Sequence, residues 1–389
     1  MSPERKRRPL SSLLRLLFVL SALAAGAAGY WLYARYLPFA DAPIEGIAPE
    51  TALVVERGDS LAAVLGKLYA AGAPRGRELE WQLLSRQLGV AGRLQVGEYA
   101  LRPGITPRTL LRDLRSGKVV AHRFTIVEGW NIRQLRAALA KAQPLAHETG
   151  GLDDAALMRA VGAPGQHPEG RFLPETYQYT RGDSDLAVLK RAHAAMAKAL
   201  DAAWAERAPD LPLKDKDQAL TLASIVEKET GVASERPQIA GVFVRRLRTG
   251  MLLQTDPTVI YGMGEAYRGN IRRVDLTTDT PYNTYVRPGL PPTPIAMPGA
   301  HALEAATRPA DGDALYFVAV GDGSGRHVFT RSLSEHQAAV RDYLRRYRQR
   351  NAAGAPPPSA PEAGTGTGVD PAVPPAAPAA PADPPAQGR

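Results

Sequence analysis

The sequence predicts an α+β protein: one N-terminal apolar helix, a small mixed module, a larger mixed domain and a Pro/Ala-rich tail. Three observations predict it. An uncharged run follows a basic N-terminus, strand-like and helix-like patterns interleave through the middle, and large apolar residues nearly vanish after residue 352. The expected boundaries are a basic segment over 1–15, a transmembrane helix over 16–36, the small module over 45–120, the larger domain over 121–348 and a disordered tail over 349–389. With 389 residues, 44% hydrophobic and 22% charged, the chain suffices for two packed units.

The N-terminal "MSPERKRRP" carries Arg5, Lys6, Arg7 and Arg8, and "LLFVLSALAAGAAGYWLYA" then runs uncharged from Leu16 to Ala34. As a helix this stretch can cross about 30 Å of hydrocarbon. Positive charge before it holds the N-terminus in the cytoplasm and sends the rest across. A cleaved signal peptide competes, because "ALAAGAAG" offers small residues to a peptidase. The apolar run continues through Tyr30, Trp31, Leu32 and Tyr33, which suit a membrane interface, so an uncleaved anchor is expected.

The net charge of +9 fits nucleic acid, anionic lipid headgroups or an anionic wall polymer. No Lys/Arg block with interleaved aromatics occurs in the folded part, so nucleic acid is not an expected partner. The absence of cysteine excludes disulfides and thiolate metal sites. His301, His327 and His336 have no metal-ligand spacing and read as structural or exposed, and nothing suggests a cofactor.

In the small module, "ALVVERGDSLAAVLGKLYAAG" reads as a strand, a Gly-Asp turn and a helix capped by Ser60, with Leu61, Val64, Leu65 and Leu68 at helical spacing. "ELEWQLLSRQLG" is a second helix. "LQVGEYALRPGITPRTLLRDLRSGK" returns to a strand, then a helix with Thr106 as N-cap and Gly117 at its end. The opening Val55-Glu-Arg-Gly-Asp-Ser-Leu61 resembles the LysM-like fold of proteins that hold wall glycans; a plain spacer is the alternative. The larger domain begins with a strand, "FTIVEG", and a helix capped near Asn131. Helices follow over about 186–205, 217–232, 235–249 and 333–348, and "ALYFVAVGDGSGRHVFT" reads as a hairpin.

The stretch "LTLASIVEKETGVASER", 220–236, holds the candidate chemistry. With Asp217 as N-cap, Leu222, Ile225, Val226, Glu229, Val232 and Ala233 form one apolar stripe. Glu229 lies in its middle, whereas Glu227 falls on the opposite face with Ser224 and Thr230, beside Lys228 at the solvent edge. A carboxyl on an apolar stripe loses hydration in its charged form, so its pKa rises. It then either pairs with a cation such as Arg245 or Arg246, or lines a cleft as a proton donor.

"ASIVEKETGVASER", "VFVRRLRTGMLLQTDPTVIYGMG", "TPYNTY", "GLPPTPIAMPG", "EGRFLPETYQY", "YFVAVGDGSGRHVFT" and "SEHQAAVRDYL" together resemble the YceG-like family of membrane-anchored endolytic murein transglycosylases. The resemblance implies cleavage of the MurNAc–GlcNAc bond within peptidoglycan strands. It also implies the cell inner membrane, periplasmic folded parts, cooperation with wall-synthesis machinery and a limit on strand length. It makes the second glutamate of the E-K-E-T segment, Glu229, the catalytic acid, the residue that the stripe also selects.

Glycoside cleavage needs an acid for the leaving oxygen and, in hydrolases, a second carboxylate. The resemblance implies that the C6 hydroxyl of the muramyl sugar attacks instead, giving 1,6-anhydro ends. No second carboxylate in the 220s stretch has comparable placement; of the nearest rivals, Asp256 reads as a turn former before Pro257, and Glu235 as a first-turn helix charge. The cleft would draw on Gln254, Thr255, Asp256, Tyr261, Tyr282, Asn283, Thr284 and Tyr285, with a capped turn and packed tyrosines as the alternative. "GLPPTPIAMPG" reads as a rigid scaffold loop. Of Glu169 and Glu175, which flank "GRFLP", Glu175 could support the site, though a surface place is expected. A non-catalytic peptidoglycan-binding scaffold and a hydrolytic muramidase remain the rival functions.

Overall fold

The computed structural model describes residues 10–90 and 92–352. The basic N-terminal cluster and the Pro/Ala-rich tail from residue 353 lie outside the described residues. The chain divides into two units, one of residues 1–122 with 180–182, the other of 123–179 with 183–389.

The first unit opens with helix α1 (Leu10–Trp31), one π-helical turn (Leu32–Tyr36) and α2 (Leu37–Asp41). Leu14–Asp41 is long and apolar enough to cross a membrane, with Leu16, Phe18, Leu20 and Leu23 exposed along it. The helix passes through "ALAAGAAG" unbroken. Its far end packs on the unit's own core: the Phe39 ring meets Trp81 edge-on at 5.2 Å, and Asp41 takes a bidentate bond from Arg108.

Behind it come β1 (Ala52–Val55), α3 (Leu61–Ala70), α4 (Glu78–Gln87), β2 (Gly97–Ala100) and α5 (Pro107–Ser116). Ser60 and Thr106 accept backbone N–H bonds as N-caps, and Gly117 ends α5 at φ 69. β1 and β2 pair antiparallel, Ala52 opposite Ala100 and Val55 opposite Gly97. Leu53, Val55, Val64, Leu68, Trp81, Leu84, Leu110 and Leu114 fill one core beneath them.

The second unit carries most of β3 (His122–Thr125), then α6 (Ile132–Leu139), α7 (Asp154–Val161) and β4 (Thr176–Tyr179), which pairs with β3. Asn131 caps α6 in a capping box with Gln134. Three long helices follow: α8 (Asp185–Ala205), α9 (Lys216–Glu229) and α10 (Arg236–Thr249). Then come α11 (Asp256–Met263), α12 (Arg273–Thr277), α13 (Ala300–Thr307), a hairpin of β5 (Tyr316–Ala319) and β6 (His327–Thr330), and α14 (Leu333–Ala352).

Helix α9 is the axis of this unit. α8, α10, α11 and α13 pack around it, and every residue from Ala219 to Val226 is buried. A helix covered on all sides has no solvent face. This overturns the expectation of a single buried stripe with a polar back.

Candidate active site

Helix α9 is capped by Asp215, whose side chain accepts from Gln218 N at 2.8 Å, rather than by Asp217. It ends at Glu229; Thr230 is extended, and Val232 and Ala233 lie past the helix. Glu229 is therefore the last residue of a buried helix, not the middle of a stripe. Carbonyls crowd the negative end of a helix and oppose a carboxylate there.

Glu229 keeps part of its surface open. Burial nevertheless dominates its titration and pushes its pKa up to about 7. The Thr255 hydroxyl, which donates to Oε1, opposes that rise; neighbouring Asp256 adds to it. Neither expected arginine pairs with it. Arg245 donates to the carbonyls of Ala314 and Ala310, and Arg246 to those of Leu315 and Leu253, at 2.7 Å for the shorter bond of each.

Three groups expected on or beside the solvent face are covered instead. The Glu227 side chain is 5% exposed, accepts from Gly299 N at 3.0 Å and from Arg236 at 3.5 Å, and burial raises its pKa. Ser224 donates to Thr221 O and accepts from Ile295 N, tying α9 to the Pro-rich loop. Lys228 reaches Gly129 O at 3.3 Å, and burial lowers its pKa. Periodicity within one helix cannot reveal that neighbouring elements cover its other sides.

The loop before α11 supplies Glu229's donor. Thr255 is held by its own N–H on the Thr284 hydroxyl, 3.1 Å, and Thr284 shares a second bond with Thr258 at 2.9 Å. Gln254, just before it, sits at φ 48, a left-handed conformation that costs a non-glycine residue energy. Asn283 donates to the carbonyls of Asp275, Leu276 and Thr278. Asn283 and Thr284 are buried, and this bonding follows the turn alternative: they fix the loop.

Asp256 corrects an expectation. It opens α11 as more than a turn former, accepts from the Tyr285 hydroxyl at 2.5 Å, and its own pKa is raised by burial. A second carboxyl thus acts on Glu229 through its field. Tyr261 and Tyr282 face each other, ring centres 4.8 Å apart, with hydroxyls on Glu169 and Thr293 respectively. Glu175 is exposed. Glu169 is fully buried with a pKa near 7, raised by burial. Its segment "EGRFLPETYQY" carries the family resemblance, but no apolar period around it foretold the burial.

The three histidines singled out in the sequence have protein neighbours of other kinds. His327 binds the Glu235 carboxylate through its N–H and Nδ1 at 3.0 and 2.8 Å, so Glu235 is a buried partner and not a simple first-turn charge. His336 stacks on Tyr316, and His301 is exposed beside Glu304. Among the described residues no His/Asp/Glu group is arranged to hold a metal.

Residues 53–342 match the model of the YceG-like family. A Bacillus subtilis (strain 168) protein named endolytic murein transglycosylase is 32% identical over 341 residues, covering 81% of this chain and 90% of the relative. A Streptococcus pneumoniae serotype 2 protein of the same name is 27% identical over 290 residues, covering 64% of this chain; the chain spans 51% of that relative. Among solved structures, a YceG-like protein from Listeria monocytogenes shares 27% identity over 74% of this chain and 98% of its own, with a TM-score of 0.46.

Proposed function

Since this chain belongs to the YceG-like family, we propose that it is an endolytic lytic transglycosylase acting on peptidoglycan strands, with Glu229 as its acid. One observation carries the reading: a buried carboxyl, hydrogen-bonded by Thr255, without an ion-pair partner among the described residues and with its pKa pushed up to about 7 by burial. Such a group is a proton donor at neutral pH.

The protonated Glu229 gives its proton to the glycosidic oxygen as the C1–O bond breaks. The muramyl C6 hydroxyl then bonds to C1, and its proton goes to the Glu229 carboxylate. No water is consumed, the acid is restored, and the new end is 1,6-anhydro-MurNAc. Gln254, Asp256, Tyr261, Tyr282 and Tyr285 would line the sugar groove, and Thr255 would hold the acid's orientation. The strand–helix–helix–strand order of the first unit supports a LysM-like glycan grip.

The apolar helix would anchor the protein in the inner membrane, with the basic Arg5–Arg8 segment cytoplasmic and the folded parts after the helix periplasmic. Placement beside the synthetic machinery would let cleavage limit strand length.

Asp256 favours a second reading, a muramidase in which it activates water at the same sugar. Mass spectrometry of digested strands decides between them: anhydro-muramic ends support the transglycosylase, and reducing muramic ends the muramidase. A Glu229→Gln protein that binds strands but releases no product supports either enzyme. Unchanged turnover would overturn both and leave a binding scaffold or another acid.

A further inference from the structure

Glu169 is the most deeply buried acid of the second unit that no step above uses. Both its oxygens accept from Ile132 N at 3.1 Å, and Oε2 also accepts from the Tyr261 hydroxyl at 3.0 Å. Asn131 already caps α6 through Gln134, so the distinctive partner is the phenol.

From Tyr261 the contacts run round a closed circuit. Its ring lies against Tyr282, the Tyr282 hydroxyl bonds Thr293 at 2.8 Å, and Thr293 precedes Pro294. Pro294 presses back on Gly170, where an added Cβ would sit 2.6 Å from the proline Cβ. Gly170 is Glu169's own neighbour, so the circuit closes on the carboxyl. Tyr261 belongs to α11, the helix that begins immediately after Thr255, the donor to Glu229.

We propose that Glu169 is a positioning residue: it holds Tyr261 against Tyr282 as the aromatic wall on which an N-acetylated sugar ring packs beside Glu229. The inference rests on the glycan-cleaving reading above. An aromatic face binds the C–H face of a sugar only where the ring is held, and a single phenol bond sets the turn of Tyr261 about its helix. Among the described residues no cation forms an ion pair with Glu169; Arg133 and Lys228 act on it through their fields. Burial of such a group costs stability unless it secures something else.

The test is a double-substitution cycle of Glu169→Gln and Tyr261→Phe on muramyl oligosaccharides of defined length. The expected result is a KM raised about tenfold in each single variant, with kcat within about threefold of wild type and the double variant no worse than either single. A merely structural role would lower the folded fraction, read by thermal unfolding, and so reduce kcat at unchanged KM; that outcome overturns the proposal. Additive effects on KM overturn it too. If Glu169→Gln fails to fold, Tyr261→Phe alone must raise KM. A Glu229→Gln protein that still turns over would sink the reading of the acid but leave this cycle interpretable. A wild-type KM in both single variants, with Glu229→Gln inactive, would sink the positioning role alone.

Discussion

A pair of acids in the first unit and four in the second are held in opposite ways. In the first, acids meet bases at the surface: Lys67 lies 2.8 Å from Glu56 and 2.7 Å from Asp59. There the Glu56 N–H, then Lys67, hold the Asp59 carboxyl below its ordinary range. In the second, Glu169, Glu227, Glu229 and Asp256 are all raised, burial being the largest cause for each. A surface pair changes stability little. A buried acid without a counter-charge lowers stability at neutral pH, and a fold keeps several together where chemistry benefits. These four acids of the second unit thus carry a cost of burial that Glu56 and Asp59 of the first do not.

The sharpest way to break this contrast is Glu229→Gln. Loss of a positioned general acid should lower kcat about a thousandfold, measured by release of soluble fragments from strands. A loss under tenfold would place the chemistry elsewhere.

Next in size is the pH dependence of stability. Glu169 and Glu229 have folded pKa values near 7, above the unfolded 4.5. Each therefore contributes stability that is whole below about pH 4.5 and lost as pH rises through 7. The 2.5-unit difference is up to about 3 kcal/mol per group. Thermal unfolding of the second unit should accordingly occur at lower temperature at pH 8 than at pH 5. Glu229→Gln or Glu169→Gln should each flatten that slope and stabilise the protein at pH 8. A wild-type protein whose midpoint rises over this range would contradict the burial account.

A smaller effect is expected of Thr255→Val. It removes the hydroxyl that opposes Glu229's raised pKa, so the alkaline limb of the pH–rate profile should move to higher pH. Orientation of the acid is also lost, at a cost of about threefold to tenfold in kcat. A limb that moves to lower pH would mean the bond favours the neutral acid. Least of all, Lys67→Ala in the first unit should leave activity and the unfolding midpoint indistinguishable from wild type, a null result by calorimetry that marks the other pole of the contrast.

Local signals were legible where the residue and its partner are neighbours in sequence. Ser60, Thr106 and Asn131 cap the helices that their positions foretold, and the hairpin around "GDGSGRH" forms β5 and β6. Glu229 was picked out on a stripe that the structure does not keep, since it is the last residue of α9 and Val232 and Ala233 lie past the helix. Glu227 and Ser224 were misplaced for the complementary reason: α13 and the Pro-rich loop cover them from 70 residues away. Asp256 looked like a turn residue, since only the fold brings its field to Glu229 and sets it under Tyr285.

The amino-acid sequence by itself determined most of the helices and strands and the membrane-length apolar run, because each depends on residues a few positions apart. Tertiary structure alone decided that α9 is enclosed on every side, that Thr255 reaches Glu229, and that Glu169 closes a circuit through Tyr261, Tyr282 and Pro294. Desolvation raises these carboxyls, and it depends on everything within several ångströms in space, which no local spacing encodes.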